Sequence, residues 1–130
     1  MAALTRLAVT ELDDAVDAAT KDTASHAEAL RLAMEAMVPL GPRQWFLNHE
    51  AAEGDETLAR RLDEDRRLFF ETIEGAKAEG IFAEHVATAW IAEAYDALLY
   101  MAWTLIRKNE ATPKQAADFA WKILTTGGKI

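Results

Sequence analysis

The side chains equipped for chemistry in this 130-residue chain are 22 carboxylates, three histidines and a single serine, with no cysteine. Without cysteine there is no thiolate nucleophile, disulfide or thiolate metal site. His26, His49 and His85 stand on three different segments, and no Glu-x-x-His occurs, so the pattern that builds di-iron and dimanganese bundles is missing. His49 and Glu53 sit one turn apart, but a catalytic metal site generally takes three protein ligands, and a surface or pocket histidine is the expected role. Ser25 opens Ser-His-Ala-Glu28, a capping-box spacing, and no Gly-x-Ser-x-Gly surrounds it. The run Thr125-Thr-Gly-Gly-Lys129 follows a helix, so its backbone amides are not aimed at a phosphate. Carboxylate pairs abound in so acidic a chain, and nothing marks one as buried or coupled. The expectation is a protein that is not an enzyme, with no catalytic residues, no metal and no cofactor.

Aromatic and methionine side chains are the more informative set: Met34, Met37, Trp45, Phe46, Phe69, Phe70, Trp90, Tyr95 and Trp103. Each has core packing as its ordinary fate. Together they also suit an apolar cavity between helices, with His49 or Tyr95 as the orienting polar group. Phe69 and Ile73 are one turn apart, as are Trp45 and His49, so each pair projects from one side of its helix. The expected ligand pocket is therefore Trp45, Phe46, His49, Phe69, Ile73, Tyr95 and Leu98, holding a small apolar effector. Abundant Ala leaves volume unfilled, and Met34 and Met37 can repack around ligands of different shape.

Six helical segments must position these residues, which makes the fold class all-α, a six-helix bundle in one domain over residues 1–130. The first repeats Leu4, Leu7, Leu12 and Val16 at helical spacing and ends near Lys21. The second runs from Ser25 to Pro39, where Pro39-Leu-Gly-Pro42 forces a turn. The third, Arg43 to about Glu53, stops at Gly54. The fourth, Asp55 to Glu79, carries Leu58, Leu62, Phe69, Ile73 and Ala76 in one stripe, and Gly80 is a natural left-handed cap. The sixth starts at Thr112-Pro113-Lys-Gln115, a second capping box, and ends at Gly127-Gly128.

The fifth segment, Glu84 to Asn109, is different. Glu93, Asp96, Tyr100, Thr104 and Arg107 form one narrow polar strip, and nearly everything else is apolar, so the helix needs cover on more than one side. A homodimer is expected, isologous as most two-fold dimers are. Trp90, Ala94 and Met101 on this segment would meet Ala120, Trp121 and Leu124 of the sixth in a four-helix contact. The opposite flank, Leu99, Trp103 and Ile106, is the other choice.

A net charge of -8 repels a phosphate backbone, and the only dense basic group, Arg60, Arg61, Arg66 and Arg67, alternates with Asp63, Glu64 and Asp65. No direct nucleic-acid binding is expected. The most apolar stretch, Val86 to Ile106, contains Glu93 and Asp96, which argues against a membrane span, and the N-terminus lacks the apolar core of a secretion signal. A cytoplasmic protein is expected.

The run Glu71-Thr-Ile-Glu-Gly-Ala-Lys-Ala-Glu-Gly80-Ile-Phe82, then Ala89-Trp-Ile-Ala-Glu-Ala-Tyr-Asp-Ala97, then Gly-Gly after Ala120-Trp-Lys-Ile-Leu-Thr-Thr126, resembles the C-terminal regulatory domain of TetR-type transcriptional regulators. The likeness covers nearly the whole chain in order and spacing, and the stretch from Leu4 to Ala19 resembles the helix that follows the family's DNA-binding head. The resemblance implies an effector-binding and homodimerisation domain of a TetR-type regulator, lacking its own helix-turn-helix head. Such a chain is expected to be either part of a longer regulator or a protein that acts without touching DNA. The alternative is a standalone helical interaction protein that dimerises with itself or with a full-length relative.

Overall fold

The structure, a computed structural model, describes residue 11, residues 13–40 and residues 56–127, and among these every regular element is helical. Helix α1 covers residues 13–20, and α2 is His26–Met37, running into a 3-10 turn at Val38–Leu40. Helix α3 is Glu56–Ala78, α4 is Thr88–Arg107 and α5 is Pro113–Gly127. The all-α class stands. The third expected segment, with Trp45, Phe46 and His49, falls outside the described residues.

Local chemistry sets most of these boundaries. Ser25 Oγ accepts the Glu28 amide at 3.1 Å, so Ser25 caps α2 through one half of the first capping box. At the second, Thr112 Oγ1 accepts the Gln115 amide at 3.2 Å while Gln115 Oε1 accepts the Thr112 amide at 3.0 Å. Gly80 takes φ 87, and around it the Ile81 amide reaches back to Ala76 O at 3.2 Å and the Gly80 amide to Lys77 O at 3.0 Å. That is the Schellman closure, which needs a left-handed residue. The same closure ends α4 with Asn109 at φ 59, where the Glu110 amide bonds Leu105 O at 2.9 Å and the Asn109 amide bonds Ile106 O at 3.0 Å. The helix therefore stops at Arg107 rather than at Asn109. It also starts late, at Thr88, behind Ala87, which has extended backbone and no side-chain cap.

Helix α2 lies at the centre: it packs on α3 and α5, and its 3-10 extension meets α4 and α5, while α4 and α5 pair with each other most extensively. The core is Leu30, Met34 and Val38 of this unit, Ile73 and Ala76 of α3, Ile91, Ala92, Tyr95, Leu99, Ala102 and Trp103 of α4, and Ala116, Ala117, Ala120 and Leu124 of α5. Two buried polar groups on α4 reach α2 and its extension. Tyr95 donates its hydroxyl to Leu30 O at 2.7 Å, and Trp103 Nε1 donates to Val38 O at 3.1 Å. Each lets a large ring enter the core without orphaning its polar atom.

No helix among the described residues is long and apolar enough to cross a membrane.

Candidate functional site

A cleft of about 930 Å³ opens where α1, α2 and α3 converge over Tyr95 of α4. That volume is within the roughly 300–1,000 Å³ typical of small-molecule pockets. Its deep end is Leu30 and Tyr95, both almost fully buried, with Ala33 and Met37 on α2 and Leu62 and Phe69 on α3 as apolar walls. Ala33 and Ala29 are one turn apart on α2, and two methyl-sized side chains in succession leave the space that larger residues would fill. Phe69 sets its ring edge-on to Tyr95, with centroids 5.0 Å apart, and this pair shapes the inner wall.

The outer end is acidic. Asp13, Asp14 and Asp17 enter from α1 and Asp63 and Asp65 from α3, against Arg61 and Arg66. Arg61 binds Asp13 at 2.8 Å, which docks α1 on α3. Arg66 turns toward α4, reaching Asp96 at 3.0 Å and Glu93 at 3.3 Å, and its guanidinium lies 5.2 Å from the Phe70 ring centroid. Asp65 is pushed up to about 7, first by burial and then by sharing a hydrogen bond with Asp13, with the charge of Asp17 adding to the effect and that of Arg61 opposing it.

Of the residues expected to form the pocket, Phe69 and Tyr95 line this cleft. Ile73 does not, being fully buried core, and Leu98 packs half-buried against that core. Trp45, Phe46 and His49 lie outside the described residues. Met37 lines the cleft, whereas Met34 is wholly buried. Tyr95 is committed by its bond to Leu30 O, so its role at the floor is fixed by the fold. The aspartates of α1 were missed, because their sequence reads as the solvated side of an amphipathic helix.

The residues expected at a dimer contact divide. Trp90 is 76% exposed and Ala94 is open to solvent, while Met101 and Trp121 are half-buried. Ala120 and Leu124 are core within the chain. The other flank is consumed internally as well, since Leu99 and Trp103 are buried and Ile106 packs on the core. Phe119 at 53% and Ile123 at 40% are instead the exposed apolar residues of α5.

Among the described residues no three His, Asp or Glu side chains are grouped to hold a metal ion. No family model, curated protein or solved structure matches the chain.

Proposed function

We propose that the chain is an effector-binding and homodimerisation domain of the TetR regulatory type, which binds a small, largely apolar molecule and does not itself contact DNA. The observation that carries this reading is the cleft, with its apolar deep end and ligand-sized volume. The succession of elements supports the family likeness: a long helix closed by Gly80, a buried Phe82, and two final helices paired with each other. The dimer contact is proposed on the outer side of α4 and α5, through Trp90, Ala94, Met101 and Trp121, with Phe119 and Ile123 added in place of the buried Ala120 and Leu124. A cytoplasmic, non-enzymatic role follows from the same reading.

The test is a thermal-shift screen of hydrophobic small molecules against the wild type and Ala33→Phe, which fills the cleft. A ligand specific to the folded state at a hundred times its dissociation constant stabilises by about 2.7 kcal/mol. Hits that vanish in Ala33→Phe support the cleft; no hit, or hits indifferent to the substitution, defeat it. Sedimentation at tens of micromolar, roughly the range of a stable interface, reads the dimer. Wild-type protein that sediments as a monomer rejects that part.

The second reading, a standalone interaction protein, is favoured by the exposure of Trp90, which a binding partner of another sequence would cover equally well. A complex with a full-length regulator but no self-association would select it.

A further inference from the structure

Helix α1 walls the cleft without being anchored in the core. It contributes Asp13, Asp14, Val16, Asp17 and Thr20 to the lining, yet each of its side chains from Asp13 to Thr20 is half-buried or exposed. What holds it is polar. Asp13 Oδ2 accepts from Nε and from a terminal nitrogen of Arg61 on α3, each at 2.8 Å, and Asp13 also shares a hydrogen bond with Asp65, one turn further along α3. Two carboxyl groups can share a hydrogen bond only while one of them is protonated, because an ionised carboxylate accepts and does not donate.

The charges around this bond make the proton matter. Asp13 and Asp17 of α1 both act on Asp65 to keep it protonated, and Arg61 is the cation that opposes them. Asp63 adds negative charge at the rim, Arg66 is turned to α4 by Asp96 and Glu93, and Glu64 and Arg67 pair with each other. Toward the cleft α2 presents Ala29, Leu30, Ala33 and Met37 and α4 presents Tyr95, so neither brings a charge. With the proton gone, the carboxylates of Asp13, Asp17 and Asp65 meet one guanidinium across a half-buried seam, where like charges repel more strongly than in water. A pivot is at hand: residues 21–25 hold no helix, and the start of α2 is fixed separately by Ser25 and Glu79, so α1 can turn there without disturbing α2.

We propose that α1 is a proton-controlled latch on the cleft, held down on α3 while Asp13 and Asp65 share a proton and lifting about residues 21–25 when that proton passes to water. Lifting takes the Val16 wall off the cleft. The latch goes beyond the ligand-binding reading and does not depend on it. Docked, Asp65 is raised from 3.8 to about 7, and α1 supplies the hydrogen bond and the two like charges that contribute to this. A group raised in the docked state favours docking below its undocked value, and that preference is lost as pH rises through the docked one. Docking should therefore weaken from about pH 4 to 7 and level off above.

Hydrogen–deuterium exchange of the full chain, read by mass spectrometry and divided by unstructured-chain rates at the same pH, tests this. Protection of the α1 amides should fall at least about tenfold from pH 5 to pH 7, the slope being set by release of one proton. It should also stay below that of the α4 amides at every pH, because α1 opens locally. Asp65→Asn, whose amide donates to Asp13 and gains no charge, should keep α1 at one level of protection across the range. Wild-type α1 protection that is level or rises with pH, a fall that persists in Asp65→Asn, or protection equal to that of α4 overturns the latch.

Discussion

Glu79, just beyond the end of α3, closes the start of α2 at His26. Its Oε2 accepts the His26 amide at 2.8 Å and pairs with His26 Nδ1 at the same distance, and Oε1 accepts the Ala27 amide at 3.0 Å. A helix N-terminus leaves its first amides without intrahelical partners and carries partial positive charge. Ser25 satisfies one of these amides, that of Glu28, and the carboxylate just past the end of α3 satisfies two more.

These bonds hold the Glu79 carboxyl below its ordinary range, with the Ala27 and His26 amides as the leading causes. A carboxylate with a lowered folded-state pKa contributes stability above its unfolded value, and that contribution is lost as pH falls through the folded one. Glu79→Ala should therefore lower the melting temperature at neutral pH, and the gap to wild type should close as the pH is taken below 4.5, the ordinary glutamate value. Melting curves of both proteins between neutral and strongly acidic pH measure this. A gap that stays constant across the acid range means the carboxylate charge is not what stabilises the cap.

His26 also explains a glycine. A Cβ on Gly75 would fall 2.4 Å from His26 Cγ, so the imidazole lies directly on the α3 backbone there. In Gly75→Ala the ring has to swing away and give up Glu79. On a His26→Ala background that obstacle is gone, and only the helix preference for Ala over Gly, about 1 kcal/mol, remains. The expected result is a reversal of sign: Gly75→Ala destabilises the wild type and stabilises the His26→Ala protein. Denaturant titration of the four proteins in the cycle decides it, and additive effects would rule out the contact.

Features set by neighbouring residues were legible in the sequence. Ser25, Thr112 and Gly80 each act on amides or carbonyls within a few positions, and all three cap as expected. The start of α4 was not legible, because Ala87 has no side chain to announce a cap. At the cleft, Phe69 could be found because it falls in one apolar stripe with Leu62, Ile73 and Ala76. The acidic rim could not. Whether Asp14 and Asp17 face solvent or a cleft depends on how α1 docks against α3, and that docking runs through Asp13 and Arg61, 48 residues apart in the chain. Likewise Trp103 read equally well as an interface residue until its bond to Val38 O placed it in the core.

Asp65 offers a pH dependence opposite in sign to that of Glu79. Its carboxyl is raised from 3.8 to about 7, by burial first and by Asp13 second, with Asp17 of α1 adding to the shift and Arg61 on its own helix opposing it. A raised folded-state pKa means stability that is fully present below the unfolded value and is lost as pH rises through the folded one. The wild type should therefore lose stability between about pH 4 and 7, and Asp65→Asn should be flatter across that window. Chemical denaturation at intervals of pH reads the slope directly. A wild-type profile that rises or stays level there, or one matched by Asp65→Asn, refutes the assignment.

The floor of the cleft can be probed at a single oxygen. Tyr95 is 1% exposed and its hydroxyl donates to Leu30 O at 2.7 Å, so Tyr95→Phe removes one buried hydrogen bond while keeping the ring that packs against Phe69. The net worth of such a bond is about 1 kcal/mol. Tyr95→Ala, in contrast, also empties the volume of the ring and should cost roughly 3–5 kcal/mol, as large-to-small core substitutions of aromatic residues do. Because Tyr95 holds α4 on α2 beneath the apolar end of the cleft, Tyr95→Phe should leave the affinity for an apolar ligand nearly unchanged even as the melting temperature falls. Ligand titration beside thermal denaturation separates the two effects. If Tyr95→Phe instead abolishes binding without loss of stability, the hydroxyl contacts the ligand, and its bond to Leu30 is not what holds the floor in place.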